Sequence, residues 1–395
     1  MRQVIMVACD LHMKTMVLKI AEGRNAPEKR VLDNTPAGRL ALLAQLRQRA
    51  AAADAEIVFA YEASSLGFGL YDELSAAGIR CHVLAPSKMV RSSKQKKIKN
   101  DNRDAEWILE TLRGHVLAGN ALPEVWVPDA ATRDDRELVR SRVDAAQKLA
   151  VTKTQIKGLL KRAYLDLPSG LGKGWTKRLL AWLRGLTGDD SPLGCGARAG
   201  LASLLRQLVF LDQEVRQLDD HLYKLAMTPR YVRQFYALFR LHGVGVVTAM
   251  VYLTELGDVT RFRNRRQLGA YLGLVPSSHE SGASSDRKGH ITRQGPSRVR
   301  HVLCQAAWVC VRHDPREKAA FERVVARNRK HRKIAVVASM RRLAVRMWHA
   351  ACDAQAREQG PGEAPRGRDQ RPQVPPPNPH PLPSLCGSGR HKPER

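Results

Sequence analysis

The chain has 395 residues, 43% of them hydrophobic, which is long enough for two or three cored domains and excludes a disordered chain. Sixty-six Lys and Arg against 38 Asp and Glu give a formal charge of +28, spread through every region, and this favours a nucleic-acid partner. Cys9, Cys81, Cys195, Cys304, Cys310, Cys352 and Cys386 are odd in number and form no Cys-x-x-Cys pair, which argues against a disulfide framework or a zinc site. No run approaches eighteen uninterrupted apolar residues, so the expectation is a soluble protein of a reducing cytoplasm with no membrane partner.

Residues 4–9, "VIMVAC", and 15–20, "TMVLKI", read as a strand pair. Thr35 followed by Pro36 opens a helix, "EIVFAYE" at 56–62 is a second buried strand, and a helix over about 67–77 leads through Gly78 to a third apolar run, "IRCHVLA". Strands alternating with helices predict a layered α/β domain over residues 1–120 with a partly parallel sheet. From Asp101 onward the pattern is helical. Leu201, Leu204, Leu208, Leu211, Val215, Leu218, Leu222 and Leu225 follow steps of three and four, the signature of a coiled-coil seam, and a weaker row runs through Ala145, Leu149, Thr152, Ile156, Leu159 and Ala163. Residues 121–235 are therefore expected as a helical linker that either packs in an ordinary bundle or joins protomers as a dimer or tetramer. Residues 236–352 form a second, mainly helical unit, and the Pro-rich stretch 353–395 reads as a disordered tail.

Asp10 and Glu62 each end a buried strand, at the sheet edge where ligands of open α/β sheets bind, although a lone acidic residue there is commonly a turn former. Asp101 and Asp104, spaced by three, share one face of a helix. They follow Lys94, Lys96, Lys97 and Lys99 directly, and either complement the dipole of a first helical turn or belong to a site that handles a polyanion. Phosphodiester cleavage supplies a reason for the second reading. A cluster of Asp and Glu is the usual hard-oxygen cage for two Mg2+ ions about 4 Å apart that hold the attacking and leaving oxygens.

In the second half, "LHGVGVVTAMVYLTELGD" has the form of a helix-hairpin-helix, in which Gly243 and Gly245 would let backbone approach a DNA phosphate; a turn between two core helices has the same look. Arg261, Arg263 and Arg265 follow it. The stretch 273–308 then carries five serines between Pro276 and Arg287, with Lys288, His290, Arg293, Arg298 and Arg300 beyond them as phosphate contacts or solvated surface cations.

These residues resemble two motif blocks of the IS110 family of bacterial insertion-sequence transposases, which is related to the Piv DNA invertases. Asp10, Glu62 in "FAYEASS" and the "KNDNRDA" segment look like its Asp-Glu-Asp-Asp signature, carried on a RuvC-like, RNase H-like fold. Gly273, Leu274, Pro276, Ser281, Gly282, Gly289, Ile291, Thr292, Arg293 and Gly295 resemble the hallmark of its C-terminal domain. The resemblance implies a DNA transposase or site-specific recombinase of the bacterial cytoplasm, at the nucleoid, with element-end and target DNA as partners. It implies Mg2+ at Asp10, Glu62, Asp101 and Asp104, a nucleophile at Ser281, and a guiding bridge RNA encoded by the element. The family more often has Ser where this chain has Glu280, which leaves Ser278, Ser284 and Ser285 as lesser candidates. A metal-dependent junction resolvase or nuclease would use the same carboxylates with water as nucleophile, and a non-catalytic nucleic-acid-binding protein would not need them.

Overall fold

The computed structural model describes residues 3–89, 101–168, 170–171, 174–278, 288–327 and 331–357. The chain divides into two compact units, one ending at Pro128 and one beginning at Asp129.

The first unit is built on five strands, β1 (Gln3–Leu11), β2 (Thr15–Glu22), β3 (Glu28–Asp33), β4 (Ala55–Glu62) and β5 (Arg80–Leu84), with helices α1 (Pro36–Ala52), α2 (Gly69–Ala76) and α3 (Asp101–Ala118). The sheet order is β3-β2-β1-β4-β5. β2 pairs antiparallel with β1 and β3, whereas β1, β4 and β5 run parallel. Ile5 to Cys9 are fully buried because helices cover both faces of the central strands, so β1 reads as a continuous apolar run rather than an alternating one. β3, "EKRVLD", was not among the expected strands. It is an edge strand with an exposed or half-exposed pattern throughout, and its charges blunt the open edge instead of filling a core.

Pairing register sorts the side chains by face. Ile5, Val7, Cys9, Phe59, Tyr61, Cys81 and Val83 pack against Leu42 and Leu46 of α1 and Leu70 and Leu74 of α2. Met6, Ala8, Ala21, Val58, Ala60 and Leu84 pack against Ile108, Leu109 and Leu112 of α3. The α1 start is set locally, since Thr35 is its N-cap and accepts a hydrogen bond from Gly38 N at 3.1 Å, with Pro36 in the first turn. The Arg113 guanidinium of α3 donates to Asn25 O in the β2–β3 turn, so the C-terminal half of α3 lies where β2 ends and β1 begins. From Arg113 back to Asp104 is about 14 Å of helix, and β2 from its end back to Val17, opposite Asp10, is about 17 Å of strand. The first turns of α3 therefore come roughly level with the carboxyl end of β1.

The second unit contains α4 (Ala130–Arg162), α5 (Lys177–Gly185), α6 (Cys195–Ala226), α7 (Val232–Phe239), α8 (Val246–Leu256), α9 (Arg265–Tyr271), α10 (Ser297–His313), α11 (Pro315–Arg327) and α12 (Arg332–Ala356), plus a hairpin of β6 (Pro276–Ser278) and β7 (Lys288–Ile291). The two long helices α4 and α6 pack along one another within the chain, and Arg142 reaches across to Asp219 at 2.7 Å. Ala145, Leu149, Thr152, Ile156 and Leu159 are buried, as the weaker row requires. On α6, Leu201, Leu208 and Leu222 are buried but Leu204, Leu211, Val215, Leu218 and Leu225 only half so. Leu205, outside the seam, is buried because Leu179, Leu180 and Leu183 of α5 share its cluster. A second core gathers α7 to α12 and includes Val139 of α4 and Leu222 and Ala226 of α6. Among the described residues no helix is long and apolar enough to cross a membrane.

Candidate active site and DNA-binding elements

Asp10 and Glu62 follow the last paired residues of two adjacent parallel strands, Cys9 and Tyr61, and so occupy neighbouring positions at the carboxyl edge of the sheet. By alternation both share the face of Ala8 and Ala60, the face covered by α3. Asp104, half-buried, lies one turn before the buried Ile108 on the side of α3 that meets this face. Asp101 is the first residue of α3, one turn before the fully buried Ala105, and its side chain lies outside the described residues. Three elements thus bring Asp10, Glu62 and Asp104 to one end of one sheet face. Among the described residues no group of three or more Asp, Glu, His or Cys is close enough to hold an ion outright. The donor set is nevertheless all carboxylate oxygen, the chemistry that suits Mg2+ rather than a soft metal.

A support for Asp10 was not legible in the sequence. His12 Nε2 lies 3.1 Å from Asp10 Oδ2. The His12 carbonyl accepts from Asn34 Nδ2 at 2.8 Å, Arg39 donates to Asn34 Oδ1 at 2.8 Å, and the same guanidinium grips both oxygens of Glu73 at 2.6 and 2.8 Å. The β1–β2 turn is thereby tied to the start of α1 and, through Glu73, to the middle of α2. On the opposite sheet face, burial pushes the Cys9, Tyr61 and Cys81 groups up in pKa, so those thiols and that phenol stay protonated and play no part as anions.

In the second unit the expected helix-hairpin-helix is α7, a turn and α8. Its two glycines do different things. Gly243 has φ +79°, and a Cβ there would stand 2.6 Å from Ala306 O of α10, so this glycine is required by packing inside the unit. Gly245 is extended, caps α8 with no side-chain hydrogen bond, and has nothing within 4 Å of an added Cβ. The open backbone at the start of α8 is therefore at Gly245.

The expected cations also separate. Arg263, Arg265 and Arg293 are exposed. Arg261 stacks 4.2 Å from the Phe262 ring and 4.5 Å from that of Tyr271, and burial lowers its pKa. Arg298 binds both oxygens of Asp144 at 2.9 and 3.0 Å, and Arg300 donates to Leu272 O at 3.2 Å and Gly295 O at 2.9 Å. Arg300 thus fastens the neck of the β6–β7 hairpin, where Gly273 and Gly295 cross so closely that a Cβ on either would overlap Gln294 O or Tyr271 O. Lys94, Lys96, Lys97, Lys99, Ser281, Ser284 and Ser285 lie outside the described residues, as do the side chains of Ser278 and Lys288.

A second feature missed by the sequence reading is a buried polar cluster. Glu255, 6% exposed, accepts from Arg140 at 2.9 and 3.2 Å, while Arg136 donates to the Thr254 and Glu255 carbonyls at 2.6 and 3.0 Å. Arg136 of α4 therefore satisfies two of the last carbonyls of α8, and Arg140 holds the Glu255 carboxylate, so that α4 locks the carboxyl end of α8.

One unit carries an acidic sheet edge, and the other a glycine-bounded hairpin with basic helices. Two family models match in that order: a transposase model of the IS110 DEDD type over residues 7–165, and the transposase IS116/IS110/IS902 family over residues 236–322. The chain belongs to the IS110 family of transposases. The Sinorhizobium fredii protein y4qE is 32% identical over 66% of this chain and 60% of its own length. The protein y4rJ of the same organism is 29% identical over 79% of this chain and 82% of its own. The transposase for insertion sequence element IS1533 of Leptospira borgpetersenii is 25% identical over 64% and 70%. The chain thus spans less than two thirds of the first of these relatives.

Proposed function

We propose that the chain cleaves and rejoins DNA to move an insertion sequence. The observation that carries this reading is the placement of Asp10 and Glu62 at neighbouring positions on parallel strands, with the Asp101–Asp104 turn of α3 brought to the same face. The sheet order and its mixed pairing support an RNase H-like fold for residues 1–120. Asp10, Glu62, Asp101 and Asp104 hold divalent cations, two Mg2+ ions, which when bound polarise the scissile phosphate and neutralise its developing charge. Lys94, Lys96, Lys97 and Lys99, with Arg263, Arg265, Arg293 and the open backbone at Gly245, seat flanking phosphates. Ser281 attacks phosphorus, so that a serine–phosphate ester forms as one deoxyribose oxygen leaves and takes up a proton. DNA ends and target are the substrates. An element-encoded bridge RNA, bound through basic surface, chooses them, and α4 and α6 serve a homo-oligomer as a coiled coil.

The test is incubation of the full chain with element-end DNA, Mg2+ and flanking RNA, followed by denaturing electrophoresis. Wild type gives a denaturation-resistant protein–DNA adduct, and Ser281→Ala gives none while still binding DNA. Cleavage without an adduct, unchanged in Ser281→Ala, would show that water is the nucleophile and that the site is that of a metal-dependent nuclease or resolvase.

A further inference from the structure

Lys19 is the only lysine among the described residues of the sheet that is buried, at 8% exposure. It lies on β2 opposite Ala8, and Val17, two residues before it, lies opposite Asp10. Cross-strand partners share a face, so Lys19 shares the α3-covered face with Asp10 and stands diagonal to it, with Cβ atoms about 7 Å apart. Among the described residues it forms no ion pair. Its stem is buried beside the apolar side chains of Val17 and Ala21 on the same face of β2, while its ammonium nitrogen is not among the enclosed side-chain atoms that lack a partner, so the charged end reaches out at the edge of this face. The acidic groups reaching this face at this end are Asp10 from β1, Glu62 from β4 and Asp104 from α3, and their mutual repulsion is what a resident cation would relieve.

We infer that Lys19 is a positioning residue of the carboxylate site: its ammonium group is the built-in counter-charge of Asp10, holding the carboxylates together before divalent ions arrive and limiting how tightly those ions are held afterwards. This rests on the reading of the site as a divalent-cation site. The consequence runs against intuition for an important residue, because removing it strengthens metal binding. A unit charge on the order of 7 Å from a divalent ion, screened nearly as strongly as in water because the ammonium end reaches solvent, changes that ion's affinity by roughly tenfold.

The experiment is a calorimetric titration of Mn2+ into the full chain, wild type and variants, without DNA. Lys19→Met and Lys19→Gln remove the charge at similar volume, Lys19→Arg keeps it, and Asp10→Asn controls for the site. Both neutral variants bind Mn2+ about tenfold tighter than wild type, and Lys19→Arg returns the affinity to within about twofold of wild type. A purely structural lysine would give weaker or unchanged binding in the neutral variants, and that result overturns the proposal. Mn2+ binding that survives Asp10→Asn in full would instead overturn the metal reading itself and the Lys19 proposal with it.

Discussion

Asp10 and Glu62 stand side by side at the ends of two parallel strands, each one residue beyond the matched pair Cys9 and Tyr61. On the proposed reading neither is interchangeable with its amide, because an amide keeps the shape but removes the charge that a divalent ion requires. Asp10→Asn and Glu62→Gln are expected to fold normally and to lower DNA cleavage by on the order of a hundredfold or more, with Mn2+ binding weakened in parallel. Cleavage assays beside circular dichroism check this. Retained activity in both variants would remove these residues from the chemistry.

The two glycines of the α7–α8 turn separate folding from binding. Gly243→Ala forces a side chain into a left-handed backbone position and against Ala306 O, so it should cost about 2 kcal/mol or more and lower the melting temperature. Gly245→Ala has open space and an ordinary extended backbone, so stability should change by less than about 0.5 kcal/mol. If DNA phosphate sits on the α8 amides, the added methyl weakens DNA affinity severalfold in that variant alone. Fluorescence anisotropy on a labelled duplex, read beside thermal melts, distinguishes the two effects.

The sequence made the α/β order, the Pro36 helix start and the carboxylate pair at strand ends legible, because each follows from local pattern: buried runs, a cap, an acidic residue after an apolar strand. It hid β3, whose edge position calls for charged residues that do not look like a strand. It could not show that Lys19 lies opposite Ala8, since that depends on how β1 and β2 register. Nor could it show that Gly243 faces inward while Gly245 faces out, or that Arg298 and Arg300 serve Asp144 and the hairpin neck, because those partners are distant in the chain. Composition makes every arginine look alike. Only packing tells which are already engaged.

Glu255 and Arg140 form a pair of which the carboxylate is almost fully buried. Removing one member leaves a buried charge without its partner, so Arg140→Ala should destabilise the second unit by about 3 kcal/mol and lower Tm by roughly 6 °C or more. Replacing both, as Arg140→Met with Glu255→Met, removes the orphaned charge and should recover most of that loss. A double-mutant cycle by thermal or urea unfolding reads the coupling. Additive losses in the double variant would mean that Arg140 contributes through its stem rather than its charge.

Asp129 gives the chain a specific acid sensitivity. Burial pushes its carboxyl up, but hydrogen bonds from Thr132 N at 2.8 Å and Thr132 Oγ1 at 2.7 Å, together with the Arg230 guanidinium, outweigh that and bring its pKa down to about 2. A carboxyl with a depressed native pKa stabilises the fold above its unfolded value of about 3.9 and loses that contribution as pH falls through the native value. The side chain is 58% exposed, so solvent screening keeps the ionic part small and the N-cap bonds to α4 carry most of the effect. Asp129→Ala should therefore be about 1 kcal/mol less stable than wild type at pH 7, and this gap should narrow between about pH 4 and pH 2. Urea unfolding of both proteins across that range measures it, and a gap that stays constant down to pH 2 would show that the charge of Asp129 contributes nothing to the cap.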